Sequence, residues 1–334
     1  MKETSMVRVI SGEDVKEILA GKEKQVIYIV EEAFKKRLKG SVMLPDKISQ
    51  IFDSKIQKRI NCMPASILDE KVSGVKWISV FPQNPNEGYR NVTGQILLSE
   101  LEHGYPIAFM DGTYLTALRT ATVGAIASKY LGKKECVEIG FIGAGEQARM
   151  HFQIIKLIHP EIRVCKVSSR SQSTITLFIK ELRKIYPDVT YVNCGTDYQE
   201  AVCDADIIVT AISAQTDLLK AAWIKKGTLY IHVGGWEDEF AVARRADKIV
   251  CDEWESVKHR AQTISRMYAA GELKDEDIYC NLGEIITGQK KGRLNNEEFI
   301  YFNSVGVGFV DIYLAYRVYQ MALESERGMV LEYK

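Results

Sequence analysis

From about Arg119 onward, short apolar runs alternate with segments whose apolar residues recur at helical spacing. A helix-like "RTATVGAIASKYLG" comes first. The runs "VEIGFIG", "RVCKVSS", "VTYVN", "DIIVTAIS", "TLYIHVGG" and "KIVCDE" then read as strands, and "EQARMHFQIIKLI", "TITLFIKELRKIY" and "YQEAVCDA" as amphipathic helices. β-Branched runs alternating with helices predict βαβ units and a parallel sheet covered on both faces. Upstream, a charged helical opening (about Gly12–Lys39) precedes "INCMPASIL", "VSGVKWISVF" and "VTGQILLSEL", joined by polar turns. That pattern predicts an α+β domain on antiparallel strands. The final stretch, "VGFVDIYLAYRVYQMALESE", predicts a long helix returning to the first domain. The expected fold class is α/β, with a doubly wound parallel-sheet domain over 119–311 and an α+β domain from 1–118 plus about 312–334.

After the strand Val137–Ile142 the chain reads Gly143-Ala144-Gly145-Glu146-Gln147-Ala148 and turns helical. In this G-x-G-x-x-A pattern Gly143 permits the tight turn, and Gly145 lets the backbone approach a pyrophosphate. Ala148 allows close helix–strand packing. The N–H groups at the helix start and its dipole favour phosphate. A strand–turn–helix opening a βα series marks a Rossmann-type dinucleotide site on Gly143, Ala144, Gly145, Glu146 and Gln147. Cofactor choice is read at the end of the second strand, roughly 20 residues on, where a carboxylate would select NAD. Here stand Ser168, Ser169, Arg170 and Ser171, with no carboxylate. NADP(H) is favoured over NAD(H), although a solvated Arg170 starting the next helix is the blander alternative. Small residues after the fourth strand, Thr210, Ala211 and Ile212, suit close passage of a cofactor and equally suit an ordinary strand end.

Composition narrows the class. Of the 334 residues 46% are apolar and 26% charged, with 44 basic against 44 acidic side chains. A net charge near zero lacks the positive field of a nucleic-acid binder. The apolar run Ala205–Ala214 is far short of a membrane span and contains Asp206. "MKETSMVRVISGED" has no apolar core for a secretory signal, so a cytoplasmic location is expected. The seven cysteines are scattered singly, without a CxxC pair or a histidine at ligand spacing. No metal site is expected, and the thiols read as small buried apolar groups.

None of the five histidines falls in an obvious catalytic motif, and only His232, at a strand's carboxyl end, lies plausibly near the cofactor. Charge in an apolar frame stands out instead at Lys76 in "SGVKWISVF", at Arg119 in "TALRTATVGAIASKYL", and at Glu237-Asp238-Glu239 after a glycine pair. Each has a plain structural reading: a snorkelling lysine, a domain-interface salt bridge and a solvated helix cap.

Taken together, "MDGTYLTALRTATVGAIASKYL", "IGFIGAGEQARMHF", "MPASI", "SGVKWIS", "YQEAVCDADIIVTAIS", "LGEIITGQKKGR" and "FNSVGVGFVDIYLAY" resemble the ornithine cyclodeaminase/mu-crystallin family in order and spacing over nearly the whole chain. The resemblance implies a Rossmann domain joined to an α+β domain for substrate binding and dimerisation, a homodimer, and hydride transfer at a nitrogen-bearing carbon. The substrate is implied to be a small amino acid, imine or N-substituted amino acid. It implies that Lys76 contacts the substrate carboxylate and assists proton transfer, and that Arg119 contacts the same carboxylate. A third basic residue corresponds to Lys47, with Arg59 as competitor. The family's cyclodeaminases carry a proton-accepting aspartate where this chain has Glu237. That longer side chain moves the expectation away from ornithine cyclisation and toward an amino-acid dehydrogenase or imine reductase. A catalytically weak, NADPH-binding crystallin-like protein is the rival from another class.

Overall fold

Buried and exposed positions alternate along Val92–Glu100, the period-two pattern of a strand with one covered face. The computed structural model describes residues 5–333, so residues 1–4 of the opening stretch, and residue 334, lie outside it. Val92–Glu100 is central to an eight-stranded sheet. Its order is Met329–Tyr333, Ser5–Ile10, Pro106–Asp111, Val92–Glu100, Val72–Val80, Lys58–Ile67 and Val42–Met43, with Ile48–Asp53 also paired to Lys58–Ile67. Neighbours run antiparallel, except that Ser5–Ile10 is parallel to Pro106–Asp111. The last helix, Gly308–Glu324, lies against this sheet and against the helix Glu23–Leu38, where Phe309 meets Phe34 edge-on at 5.4 Å.

The chain divides into two compact units. One takes the described residues up to Arg119 and from Gly306 onward; the other is Thr120–Val305. The second unit carries eight parallel strands in the order Thr190–Asn193, Val164–Ser168, Glu138–Ile142, Ile207–Thr210, Leu229–His232, Ile300–Asn303, Lys248–Cys251 and Cys280–Asn281. Every residue of Ile207–Thr210, Leu229–His232, Lys248–Cys251 and Ile300–Asn303 is buried, which is why three of the four positions in each are apolar. From Glu138–Ile142 the chain steps outward twice, then crosses back to Ile207–Thr210 on the other side. This reversal is a topological switch point, and the carboxyl ends of those two strands flank it.

Several elements differ from the sequence expectation. The opening helical stretch is two helices, Gly12–Leu19 and Glu23–Leu38, interrupted at residues 20–22. The helix expected to start at Arg119 begins at Thr113, because the Asp111 carboxylate accepts the Thr113 N–H at 2.9 Å and supplies the missing start. Ile48–Asp53 escaped notice because it is exposed along its length and shows no alternation. Among the described residues no helix is long and apolar enough to cross a membrane. All seven cysteines are free, five of them buried.

Candidate active site

At the switch point the glycine loop departs from the end of Glu138–Ile142. Gly143 has φ +107°, a left-handed-side conformation that side chains resist, and a Cβ there would overlap Ile212. Its N–H donates to the Ser168 carbonyl at 2.8 Å, tying the first strand end to the second. Gly145 is the N-cap of the helix Glu146–Ile158, and a Cβ on it would meet no protein atom within 4 Å. The chain's own packing therefore does not demand glycine at 145, whereas close approach of a ligand would. Ala144 and Ala148 are buried, Gln147 is half-buried, and Glu146 is exposed in the helix's first turn. These residues fit a dinucleotide pyrophosphate.

At the end of the second strand, Ser168 is buried and its hydroxyl donates to the Phe141 carbonyl at 3.1 Å. That use withdraws Ser168 from the expected phosphate-facing set. Ser169 Oγ lies 3.3 Å from Thr174 Oγ1, and Ser171 caps the helix Gln172–Ile185 by accepting the Thr174 N–H. Arg170 is exposed and makes no hydrogen bond or ion pair among the described residues. After the fourth strand, Thr210 is buried with its hydroxyl 2.9 Å from the Tyr230 hydroxyl, while Ala211 and Ile212 are half-buried. Ala211 and Ile212 pack beneath Gly143, and Ile212 also borders Gly234.

The fifth strand ends in a buried ionic cluster. A Cβ on Gly234 would overlap the Glu237 carboxylate and the Ile212 carbonyl, so this turn is glycine by necessity of close approach. Glu237 is fully buried. Its Oε2 lies 2.5 Å from His232 Nε2, and its Oε1 accepts the Gly235 N–H at 2.7 Å. Asp238 is equally buried and accepts hydroxyls from Thr263 at 2.7 Å and Tyr301 at 3.0 Å. Burial alone would lower the His232 pKa, but Asp238 and Glu237 outweigh it and raise it to about 9. The ring is thus an imidazolium near neutral pH. It donates from Nδ1 to Asn303 Oδ1 at 2.8 Å, and Asn303 passes the chain of donors to Gln262, which holds the Gly234 carbonyl at 2.9 Å. Burial pushes the Asp238 carboxyl up, with His232 opposing. Ligand-type atoms of His232, Glu237 and Asp238 lie within 4.8 Å of one another, yet protons from the ring, hydroxyls and backbone already account for the cluster. The solvated-cap alternative for the acidic triplet therefore fails for Glu237 and Asp238.

In the first unit Lys76 and Arg119 come together. Lys76 projects from Val72–Val80 and is completely buried, as is most of Arg119. Between them stands Asp311, near the start of Gly308–Glu324, 2.7 Å from Lys76 Nζ and 2.8 Å from Arg119 Nε. Burial and the nearby Arg119 charge pull the Lys76 pKa down to about 7, with Asp311 opposing. Lys76 is no snorkelling lysine. Lys47 is half-buried and immediately precedes Ile48, which pairs with Cys62. The next register position, Met63, is opposite Lys76. Two strand spacings put the Lys47 and Lys76 backbones roughly 10 Å apart. Arg59 stands four residues before Met63 on its strand, and its guanidinium donates to the Gln57 carbonyl at 3.0 Å. The sequence reading missed Asp311. A lone acid in the apolar run "GFVDIYLAY" was the available signal, since such a group needs a buried partner.

The switch-point loop and its parallel sheet define an α/β protein of the doubly wound, dinucleotide-binding type. Comparison with known proteins narrows this. The profile of the ornithine cyclodeaminase/mu-crystallin family matches residues 6–326, and the chain belongs to that family. An alanine dehydrogenase of Archaeoglobus fulgidus is 29% identical over 330 residues, 97% of this chain and 98% of the relative. The solved Thermococcus litoralis Delta(1)-pyrroline-2-carboxylate reductase, in complex with NADH and L-proline, superposes with a TM-score of 0.91 at 30% identity, covering 96% of this chain and 99% of that one. An archaeal alanine dehydrogenase dimer with bound NAD gives 0.90 at 28% identity, covering 99% and 100%.

Proposed function

We propose that this chain is a nicotinamide-dependent oxidoreductase acting at the α C–N bond of a small amino acid, imine or N-substituted amino acid. The observation carrying this reading is the buried Lys76–Asp311–Arg119 cluster, in a chain that also holds a dinucleotide-type glycine loop at a sheet switch point. Two cations held at fixed positions in a dry interior suit one carboxylate, and fixing that carboxylate fixes the α-carbon. Relatives named for an amino-acid dehydrogenase and for a cyclic imine-carboxylate reductase support the same chemistry.

When bound, the nicotinamide supplies or accepts the hydride. Lys76 and Arg119 hold the carboxylate, with Lys47 as a third cation. Glu237 exchanges the proton at the substrate nitrogen. Its carboxylate works as a pair with the His232 imidazolium, which holds it in one orientation. Gly143, Ala144, Gly145, Glu146 and Gln147 receive the pyrophosphate, and Thr210, Ala211 and Ile212 line the neighbouring strand end. We favour NADP(H) over NAD(H) as the cofactor, because the unpartnered Arg170 stands with Ser169 and Ser171 where a carboxylate would select NAD.

A homodimer accompanies this reading. Register aligns Pro64, Val75, Leu97, Phe109, Val9 and Met329 across six adjacent strands. Leu97 is 39%, Phe109 44% and Met329 64% exposed, an apolar band suited to a second copy. The archaeal relative is a dimer. The free cysteines fit a reducing, cytoplasmic setting.

The test is to incubate the protein with each oxidised or reduced cofactor and a panel of amino acids, cyclic imines and 2-oxo acids with amines. Absorbance of the reduced nicotinamide is followed, and conversion of ornithine to proline and ammonia is the control for a turnover without net cofactor change. Change with an imine or amino acid supports the reading. Silence throughout, with cofactor still bound, favours a binding protein of the crystallin kind.

A further inference from the structure

Asp311 lies among apolar neighbours on its helix, with Val310 and Ile312 on either side, and is 2% exposed. A carboxylate in that position is costly unless paired, and its partners arrive from two other elements. Oδ2 meets Lys76 of Val72–Val80, and Oδ1 accepts the Nε–H of Arg119 from Thr113–Leu131. Because the contact uses Nε, it fixes the plane of the guanidinium and hence the direction of its fork. Arg119 and Asp311 are the charged groups that bear on the Lys76 ammonium among the described residues. Two cations and one carboxylate leave a single net positive charge.

We propose that Asp311 is the positioning residue of this site: it holds Lys76 and Arg119 side by side and leaves the cluster with one positive charge, the complement of one substrate carboxylate. The inference rests on the reading that these two cations bind that carboxylate. Its sign follows from the neighbours. Burial and Arg119 drive the proton off Lys76, and Asp311 alone retains it. Lys76 is therefore charged below about pH 7, and loss of the Asp311 charge moves its deprotonation to lower pH. Carboxylate affinity, which needs the ammonium, follows the same shift.

The experiment compares the full-length protein with Asp311→Asn and Asp311→Glu, with Asp311→Ser as a second uncharged variant should Asn weaken the fold. Thermal unfolding and reduced-nicotinamide fluorescence establish that each variant is folded and binds cofactor. Heteronuclear NMR then titrates the Lys76 ammonium, assigned by its loss in Lys76→Arg, and KM and kcat for Delta(1)-pyrroline-2-carboxylate are measured against pH. In the uncharged variants the Lys76 midpoint falls by a unit or more. KM at pH 8 and above rises about tenfold or more, changes more than kcat, and recovers toward low pH, corresponding to one pKa unit or above. Asp311→Glu restores both. An unmoved Lys76 midpoint overturns the inference and leaves Asp311 a packing residue. A midpoint that moves while KM stays flat instead overturns the carboxylate-binding reading on which it rests.

Discussion

At the scale of single residues, charge state decides what each group can do. Arg170 is the sharpest case, because it is exposed and has no partner to lose. Arg170→Ala lowers NADP(H) affinity roughly tenfold and leaves NAD(H) within about twofold, the size of one charge-assisted phosphate contact. Equal loss of both affinities, measured by fluorescence titration, removes the 2′-phosphate assignment. His232 makes a different prediction. Its folded-state pKa of about 9 stands above the ordinary 6.5, so its charged form contributes stability that is full below about 6.5 and is lost as pH rises through about 9. Lys76 works in the opposite sense between about 7 and 10.5, where the unfolded chain binds more protons. Comparison with His232→Gln separates the two: the wild-type margin in urea unfolding shrinks from pH 6.5 to pH 9. A margin constant across that interval means the ring is uncharged in the folded chain. The surroundings of Asp238 and His232 were not legible in the sequence, since Tyr301, Asn303 and Thr263 reach these two residues from far along the chain.

At the scale of elements, legibility followed burial. Strands covered on both faces are dominated by apolar residues, and the helix Glu146–Ile158, which follows Glu138–Ile142 and precedes Val164–Ser168, matches its expected bounds. Ile48–Asp53 is exposed and carried no such signal, and the short edge pairings needed the partner strand to be seen. The start of Thr113–Leu131 was not legible, because its cap is the Asp111 side chain, which only the folded chain places at the Thr113 N–H. The same logic makes Gly145 a useful probe. Gly143 is held by its own backbone and by Ile212, so replacing it damages loop and ligand site together. A side chain at 145 meets no protein atom. Gly145→Val therefore leaves stability within about 1 kcal/mol while weakening dinucleotide binding by roughly tenfold or more. Loss of fold with loss of binding, seen by thermal unfolding, assigns Gly145 a packing role instead.

At the scale of the whole molecule, family membership was legible because its motifs run in order over nearly the full chain, and the matched range of 6–326 agrees. Which substrate it takes was not, because the groups that distinguish relatives are single residues such as Glu237, whose partner His232 is itself held by Asn303 from far along the chain. The apolar band through Leu97 and Phe109 belongs to this scale too. Phe109→Glu places a charge in its middle, and light scattering then reports a monomer where the wild type is a dimer. A wild type that is itself monomeric at micromolar concentration removes that interface. The most direct test of the chemistry follows the hydride itself. Reduced nicotinamide carrying deuterium at both positions of the transferring carbon is mixed with the protein and Delta(1)-pyrroline-2-carboxylate, and the amino-acid product is read by mass spectrometry. Hydride transfer to the α-carbon predicts proline with one deuterium on that carbon for each cofactor oxidised. Proline without deuterium, or cofactor that is bound and never oxidised by any imine or amino-acid pair, contradicts it.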